Sequence, residues 1–227
     1  MKGAVWLVVI CLGLGLGWRL WPPSPGWNPW APLDVTAPPN LLTPYKLWRL
    51  RGDPGLCAQA LASSTLKVTA QADTTGESRC PLHDVVRVSG GPIGLSSSFL
   101  ATCPVAVAFA LFERNVLQPA AQAAFQSRVV RVDHLGSFAC RNIYNRAQGR
   151  LSQHATANAL DIAGFRLADG RRVSVLKGWA GSAGEAAFLR QVRDGACTSF
   201  NTVLSPDYNA AHRNHLHLDM GPWRVCR

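Results

Sequence analysis

The sequence predicts an α+β domain in which a small antiparallel sheet is flanked by helices and stabilised by disulfides. Two observations predict this class. Segments with strand and helix patterns interleave without a regular βαβ rhythm, and six cysteines follow an N-terminal segment of the kind found in exported proteins. The 227 residues are 48% hydrophobic and 16% charged, so the chain can bury a sizeable core and is not intrinsically disordered.

The N-terminal segment, residues 1–18, carries Lys2 ahead of an apolar run that ends just before Arg19. This pattern is typical of a signal peptide or of an N-terminal membrane anchor. We favour an uncleaved anchor, because no small-residue cleavage site follows and because Trp18 and Trp21 flank Arg19 as interfacial residues do. With either alternative, the rest of the chain is exported.

Composition divides the remaining chain in two. Residues 19–40 are too rich in proline for helix or sheet and predict a semi-rigid linker. Residues 41–227 contain no second linker and no internal repeat, so we expect a single domain there.

The cysteines of this domain predict disulfide bonds. No Cys-x-x-Cys pair occurs, which excludes a zinc ribbon and a thioredoxin motif. In an exported chain an even set predicts three bridges and leaves no spare thiol for catalysis. The pairing stays open among Cys57, Cys80, Cys103, Cys140, Cys197 and Cys226.

Two segments predict helices. Residues 104–125 are rich in alanine with helical spacing, and Pro119 should kink or split them. A second helix should begin after Ser182, which forms a capping box with Glu185, and should end at Gly195.

Strands are predicted in three regions of the chain. Residues 129–135 form one strand, and residues 159–167 and 172–176 form a hairpin around a glycine-containing turn. Residues 203–204 and 215–220 are shorter strands near the C-terminus.

The charge balance favours an anionic partner. Lysine and arginine total 23 against 13 acidic residues, which gives a formal net charge of +10. Nucleic acid is disfavoured, because the basic residues are scattered, with no run longer than Arg171-Arg172, and no aromatic and basic signature of RNA binding is present.

Four of the six histidines lie in two short motifs. The first motif runs from Ser152 to Asp161 and contains His154, and the second runs from His212 to Asp219. Side chains alternate along a strand, so His215, His217 and Asp219 should share one face. A set of two histidines and one aspartate suits zinc and leaves one coordination position for water. We interpret the two isolated histidines, His83 and His134, as ordinary surface or core residues.

These motifs resemble those of a known superfamily. Ser152-x-His154-x-x-Ala157-x-Ala159-x-Asp161 is similar to the signature of zinc D-Ala-D-Ala carboxypeptidases, and His212-x-x-His215-x-His217 resembles a segment of the murein endopeptidases. Both belong to the lysostaphin, D-Ala-D-Ala metallopeptidase and hedgehog superfamily. Together with residues 139–146, the motifs resemble the bacterial extensin-like C-terminal family over residues 45–227.

The resemblance implies a zinc site. It assigns His154, Asp161 and His217 as ligands, His215 just outside the metal, and His212 nearby. One departure is Ala157, where the superfamily has glycine. An alanine is tolerated there if φ is negative and strains the loop if φ is positive.

The second departure concerns the catalytic base, which is a glutamate in the carboxypeptidases. The three glutamates of this chain, Glu77, Glu113 and Glu185, all lie far from the last ligand in sequence. His215 is therefore the best base, as in the endopeptidase branch, and Asp207 is the reserve. Asp219 is an alternative partner that holds a histidine in its ligating tautomer.

Three polar residues next to the motifs have two interpretations each. The resemblance implies that Arg141 or Arg146 binds a carboxylate or polarises the scissile carbonyl, and a surface salt bridge is the alternative for both. Ser152 either orients the substrate or caps its loop, and we favour the cap.

The expected function is that of a periplasmic zinc metallopeptidase, anchored to the inner membrane, that hydrolyses amide bonds of peptidoglycan peptides with a zinc-activated water. Zn²⁺ is the expected cofactor, and Arg141, His212 and His215 are the expected catalytic residues. The alternatives are a peptidase for a non-wall peptide and a zinc-stabilised binding module without catalysis. A groove wide enough for a peptide that reaches the metal would favour an enzyme.

Overall fold

The computed structural model of the chain describes residues 6, 9, 13, 15–17, 19–74 and 78–227. Helices and sheets mix as expected for an α+β domain. The helices after the proline-rich segment are α1 (Thr43–Arg49), α2 (Pro54–Ala62), α3 (Cys103–Phe112), α4 (Gln118–Phe125), α5 (Val175–Gly178) and α6 (Ala183–Ala196).

The larger sheet carries the functional motifs. Its main path runs in the order β10-β8-β9-β6-β5-β3, and β7 pairs with β6 off this path. The strands are β3 (Gly94–Leu95), β5 (Val129–Gly136), β6 (Ala159–Leu167), β7 (Arg172–Ser174), β8 (Thr202–Leu204), β9 (Leu216–Asp219) and β10 (Val225–Cys226). The centre is antiparallel as predicted, whereas β3 and β10 pair parallel to their neighbours at the edges.

A smaller antiparallel sheet has the order β1-β2-β4. Its strands are β1 (Lys67–Ala70), β2 (Val85–Gly90) and β4 (Phe99–Thr102). The sequence patterns did not predict these strands. The strands are short, and their buried and exposed residues alternate only in part, so the sequence carries little of the alternating pattern that marks a strand.

The alanine-rich helix forms the centre of the core. Every residue of α3 is buried. The helix then widens to a π-turn at Glu113–Leu117 and continues as α4, which has Pro119 in its first turn. The helix is therefore not split: only its hydrogen-bond pattern changes, just ahead of Pro119, which has no N–H to donate.

The start of α6 is confirmed and its end is corrected. The Ser182 hydroxyl accepts a hydrogen bond from the Glu185 N–H at 3.4 Å. The helix runs past Gly195 to Ala196. An added Cβ at Gly195 would lie 2.3 Å from Val116 Cγ1, so this glycine permits close helix packing and does not end the helix.

The β6–β7 hairpin is confirmed, but its second strand is shorter than predicted. β7 ends at Ser174, and the chain turns into α5 at Val175. Val175 and Trp179 are buried on either side of this helical turn. Packing against the core therefore overrides the local strand preference of a β-branched residue.

Three disulfides join the six cysteines, as predicted. Cys57–Cys103 links α2 to α3, Cys80–Cys140 holds the segment after β5, and Cys197–Cys226 ties the end of α6 to β10.

Part of the proline-rich segment 19–40 lies against α1. Lys46 Nζ donates to the Pro25 carbonyl at 2.6 Å, and Arg49 Nη1 donates to that of Pro29 at 2.7 Å. Leu33 and Val35 are buried in the core. The predicted anchor falls largely on residues 1–5, 7–8, 10–12, 14 and 18, which lie outside the described residues. Among the residues that the structure describes, no helix has the length and apolar character needed to cross a membrane.

Candidate metal centre

Three elements bring the predicted ligands together. His154 lies in a 3₁₀ turn (Gln153–Thr156), Asp161 lies on β6 and His217 lies on β9. The antiparallel register places Asp161 directly opposite His217. One potential ligand atom from each residue lies within 4.8 Å of the other two.

The contacts within this trio are short. His154 Nε2 lies 3.2 Å from Asp161 Oδ2 and 3.1 Å from His217 Nδ1. His217 Nδ1 lies 2.9 Å from Asp161 Oδ1. Two imidazole nitrogens and one carboxylate therefore converge on a single point.

The turn that presents His154 is held by its own residues. Ser152 Oγ accepts from the His154 N–H at 3.3 Å, so Ser152 has the predicted capping role. Ala157 adopts φ +54°, the left-handed conformation in which an alanine is strained. Its methyl group is fully buried beside Leu82 and Val85, and this packing offsets part of the strain.

The outward nitrogen of each candidate ligand histidine lies next to an oxygen acceptor. His154 Nδ1 lies 3.1 Å from the Ser137 carbonyl, and His217 Nε2 lies 3.0 Å from Asp219 Oδ2. Asp219 is held in turn by the Gly221 N–H at 2.7 Å from Oδ1. For metal binding, donation from these outward N–H groups would leave both inward nitrogens with a free lone pair, the tautomer that binds a metal.

The electrostatics of the site favour a cation. Burial alone raises the pKa of Asp161, but hydrogen bonds from His154 and His217 outweigh it and hold this pKa well below its usual range. Burial lowers the pKa of His217, yet its hydrogen bonds to Asp161 and Asp219 raise this pKa to about 9. The two carboxylates thus stabilise positive charge at the position of His217.

His215 faces the trio from just outside β9. The strand begins at Leu216 and not at His215, which corrects the sequence-based boundary by one residue. The ring still points to the site, with Nε2 3.6 Å from Asp161 Oδ1 and Nδ1 2.8 Å from Asn214 Oδ1. Burial lowers the pKa of His215, against the raising effect of the Asp161 charge.

His212 completes the histidine cluster. Its ring centroid lies 5.2 Å from that of His215 and 5.8 Å from that of His217. Nδ1 lies 2.7 Å from Asn209 Oδ1. Burial, aided by the charge of His217, lowers the pKa of His212 to about 4.

A cavity of about 630 Å³ reaches all of these histidines. Arg141 lines it, whereas Arg146 places its guanidinium over the Tyr144 ring at 5.9 Å. Asp207 does not line the cavity, and its Oδ1 accepts from Trp179 Nε1 at 2.7 Å. Among the predicted residues, Arg141 therefore joins the site, and Arg146 and the reserve base Asp207 do not.

Several residues near the site escaped the sequence analysis. Ser137 contributes its backbone carbonyl, which any residue type could supply, so no side-chain pattern in the sequence marks it. Asn209 bridges the site to the cavity rim, since Oδ1 contacts His212 and Nδ2 donates to Tyr144 Oη at 2.9 Å. Tyr144 lies within the segment 139–146 that carries the family resemblance, which is the only sequence signal for this bridge.

The comparison with known proteins agrees with this arrangement of motifs. The sequence profile of the family described as "Extensin-like protein C-terminus" matches residues 55–227. The chain belongs to this family. The family match covers both histidine motifs and all three disulfides. No curated protein and no solved structure matches the chain significantly.

His83 and His134 lie outside the centre, as interpreted from the sequence. His83 is exposed and contacts Asp73 Oδ2 at 3.2 Å through Nδ1. His134 Nε2 lies 2.9 Å from the Ser97 carbonyl. Neither lines the cavity of this extensin-like domain.

Proposed function

We propose that this protein is a zinc peptidase that hydrolyses amide bonds of peptidoglycan peptides in the periplasm. The observation that carries the proposal is the convergence of His154, Asp161 and His217 in the lining of a cavity of about 630 Å³. The proposed location follows from the N-terminal segment, which we expect to anchor the protein to the inner membrane.

The donor set fits Zn²⁺. Two neutral imidazoles and one carboxylate match the three protein ligands of catalytic zinc sites, which keep a fourth position open. The outward hydrogen bonds to Ser137 and Asp219 orient both rings for binding, an arrangement common around zinc. His154, Asp161 and His217 would therefore hold the ion.

Neighbouring side chains have distinct proposed roles. A zinc ion, when bound, supplies Lewis acidity that activates water for attack on an amide. His215 accepts the proton, because its Nε2 faces Asp161 from outside the ligand set. Arg141 lines the cavity and supplies a positive charge for the developing oxyanion. His212 packs beside His215 and restricts the position of its ring.

The cavity favours an enzyme over a zinc-stabilised binding module. At about 630 Å³ it lies within the range of sites that hold a small molecule or a peptide segment. A purely structural zinc site is normally closed by a fourth protein ligand. Here the described residues place three ligating groups together.

Peptidoglycan peptides suit the site for two reasons. They carry free carboxylates, which complement a net charge of +10. The order and spacing of the two motifs also resemble those of enzymes that cut such peptides, the basis on which we prefer them to a non-wall peptide.

The test is incubation of the purified full-length protein with muropeptides, followed by mass analysis of the products. We expect hydrolysis of a peptide amide that zinc supports and a chelator abolishes. Zinc bound at about one equivalent without any hydrolysis would instead favour the binding module.

A further inference from the structure

Three arginines form a row across the strands beside the metal centre. Arg131 on β5 pairs directly with Arg166 on β6, and Arg166 pairs directly with Arg172 on β7. Like charges that face each other across strands destabilise a sheet. Such a row is therefore unfavourable for folding on its own and needs negative charge nearby.

The carboxylate of Asp133 forms ion pairs with all three arginines. Asp133 Oδ1 contacts Arg131 Nε at 3.2 Å, while Oδ2 contacts Arg166 Nε at 3.2 Å and Arg172 Nη2 at 3.1 Å. Asp133 is buried, but the three guanidinium groups keep 40%, 45% and 63% of their side-chain surface exposed. Within the described residues, these groups contact no second carboxylate, and the exposed parts of their side chains are accessible to a ligand from solvent.

The surrounding surface is also basic. Arg128 is exposed at the start of β5, and Arg171 in the β6–β7 turn is paired with Asp169 at 3.3 Å. With the three arginines of the row, this region carries five arginines and two aspartates, which leaves a local excess of three positive charges.

This row shares a sheet face with the metal centre. Ile162 and Phe165 on β6 are both fully buried in the core, although they lie three residues apart. The register irregularity opposite Asp133 and His134 makes this possible. Their neighbours Asp161 and Arg166 therefore lie on the same face of β6, opposite to the core, about 16 Å apart for five residues of strand.

We propose that Arg131, Arg166 and Arg172 form a remote binding site for carboxylate groups of an acidic polymer that lies along this sheet face. Asp133 shows within the fold that the three arginines accommodate a carboxylate. Their partly exposed guanidinium groups remain available for a second carboxylate from a ligand. The identity of this polymer as peptidoglycan rests on the proposed function. If the row binds it, the protein should act on the polymer in preference to free peptides.

Binding tests the site independently of cleavage. We would measure the affinity of the full-length protein for poly-L-glutamate at low salt, for the parent and for Arg166→Gln/Arg172→Gln. The control, Arg114→Gln/Arg224→Gln, removes the same charge from two exposed arginines outside the row. The row variant should bind at least about fivefold more weakly, and the control should bind like the parent. Equal losses in both variants, or no loss in the row variant, would overturn the proposal.

Two controls keep the result interpretable. Thermal unfolding checks that the row variant folds, because buried Asp133 loses two of its three arginine partners in it. Arg172→Gln alone replaces it if it does not fold, with a smaller loss of binding expected. Polyphosphate serves as the second probe. If the row governs polyphosphate binding and not polyglutamate binding, the assignment to carboxylates is wrong.

The cleavage assay then links the row to the substrate. The row variant should release peptides more slowly from intact sacculi and should keep the parent rate on a free stem tetrapeptide, which is too short to span about 16 Å along the strand. Parental rates on both substrates would exclude the row from substrate binding. If the parent cleaves neither, the proposed function fails, while the polyglutamate result still decides the binding site.

Discussion

Asp219 Oδ2 lies 3.0 Å from His217 Nε2, on the side of the imidazole that faces away from the candidate metal centre. The two residues are two positions apart on β9, so the strand itself holds the carboxylate next to the ring. Nδ1 of the same ring points at Asp161 and His154. This relationship decides which nitrogen of His217 is available to a metal and links the second histidine motif to the first.

We predict that Asp219→Ala lowers zinc affinity by about 10- to 100-fold, because His217 loses the acceptor that fixes its tautomer. Competition with a chromogenic chelator measures this change. Asp207→Ala is the matched control, since Asp207 hydrogen-bonds Trp179 outside the cavity. Equal zinc affinity of the parent and Asp219→Ala would refute the role of this carboxylate.

We predict that His154→Ala loses most of its zinc, because one of three ligands is removed from a site that otherwise holds about one equivalent. Elemental analysis of the purified protein measures the zinc content. His83→Ala, at an exposed histidine outside the centre, should keep it. Unchanged zinc in His154→Ala would show that the ligand assignment is wrong.

We predict that His215→Ala keeps its zinc and fold and loses at least about a hundredfold in the rate of muropeptide hydrolysis, the usual scale for a general base. The ring touches Asp161 from outside the trio, so metal binding does not depend on it. Zinc content and hydrolysis rate are both needed. Loss of zinc would mean that His215 and His217 have exchanged roles, and a parental rate would remove His215 as the base.

We predict that removal of the Cys80–Cys140 disulfide, as Cys80→Ala/Cys140→Ala, destabilises the domain by about 2–5 kcal/mol. The bridge closes 60 residues of separation and holds the segment between Ser137 and Arg141. Urea unfolding measures the loss. A thiol titration of the denatured parent provides the companion check, and two or more reactive thiols would contradict three complete bridges.

We predict that Gly195→Ala destabilises the protein by up to about 2 kcal/mol. Alanine gains about 1 kcal/mol in a helix, but its Cβ would meet Val116 Cγ1 at 2.3 Å, and overpacking costs about 1–3 kcal/mol. Gly184→Ala in the same helix is the control, because nothing lies within 4 Å of an added Cβ there. Thermal unfolding should show opposite signs for the two variants, and stabilisation by Gly195→Ala would refute the packing role.

Local chemistry made many features predictable. The helix that begins at Cys103, the cap at Ser182 and the strand from Val129 depend on neighbours in sequence. The cap at Ser152 and the strand that carries His217 do so as well. Gly195 misled the prediction because a glycine at a helix end and a glycine under a packed side chain look the same in one sequence.

The sequence by itself determined the class of the fold, the even set of cysteines after residue 40 and the residue types that favour a metal, because these depend on composition and on short-range spacing. Only the tertiary structure decided which cysteines pair, that Asp161 stands opposite His217, and that Arg141 and not Arg146 lines the cavity. The physical reason is strand register: pairing between β6 and β9 joins segments more than fifty residues apart, and no local preference specifies it.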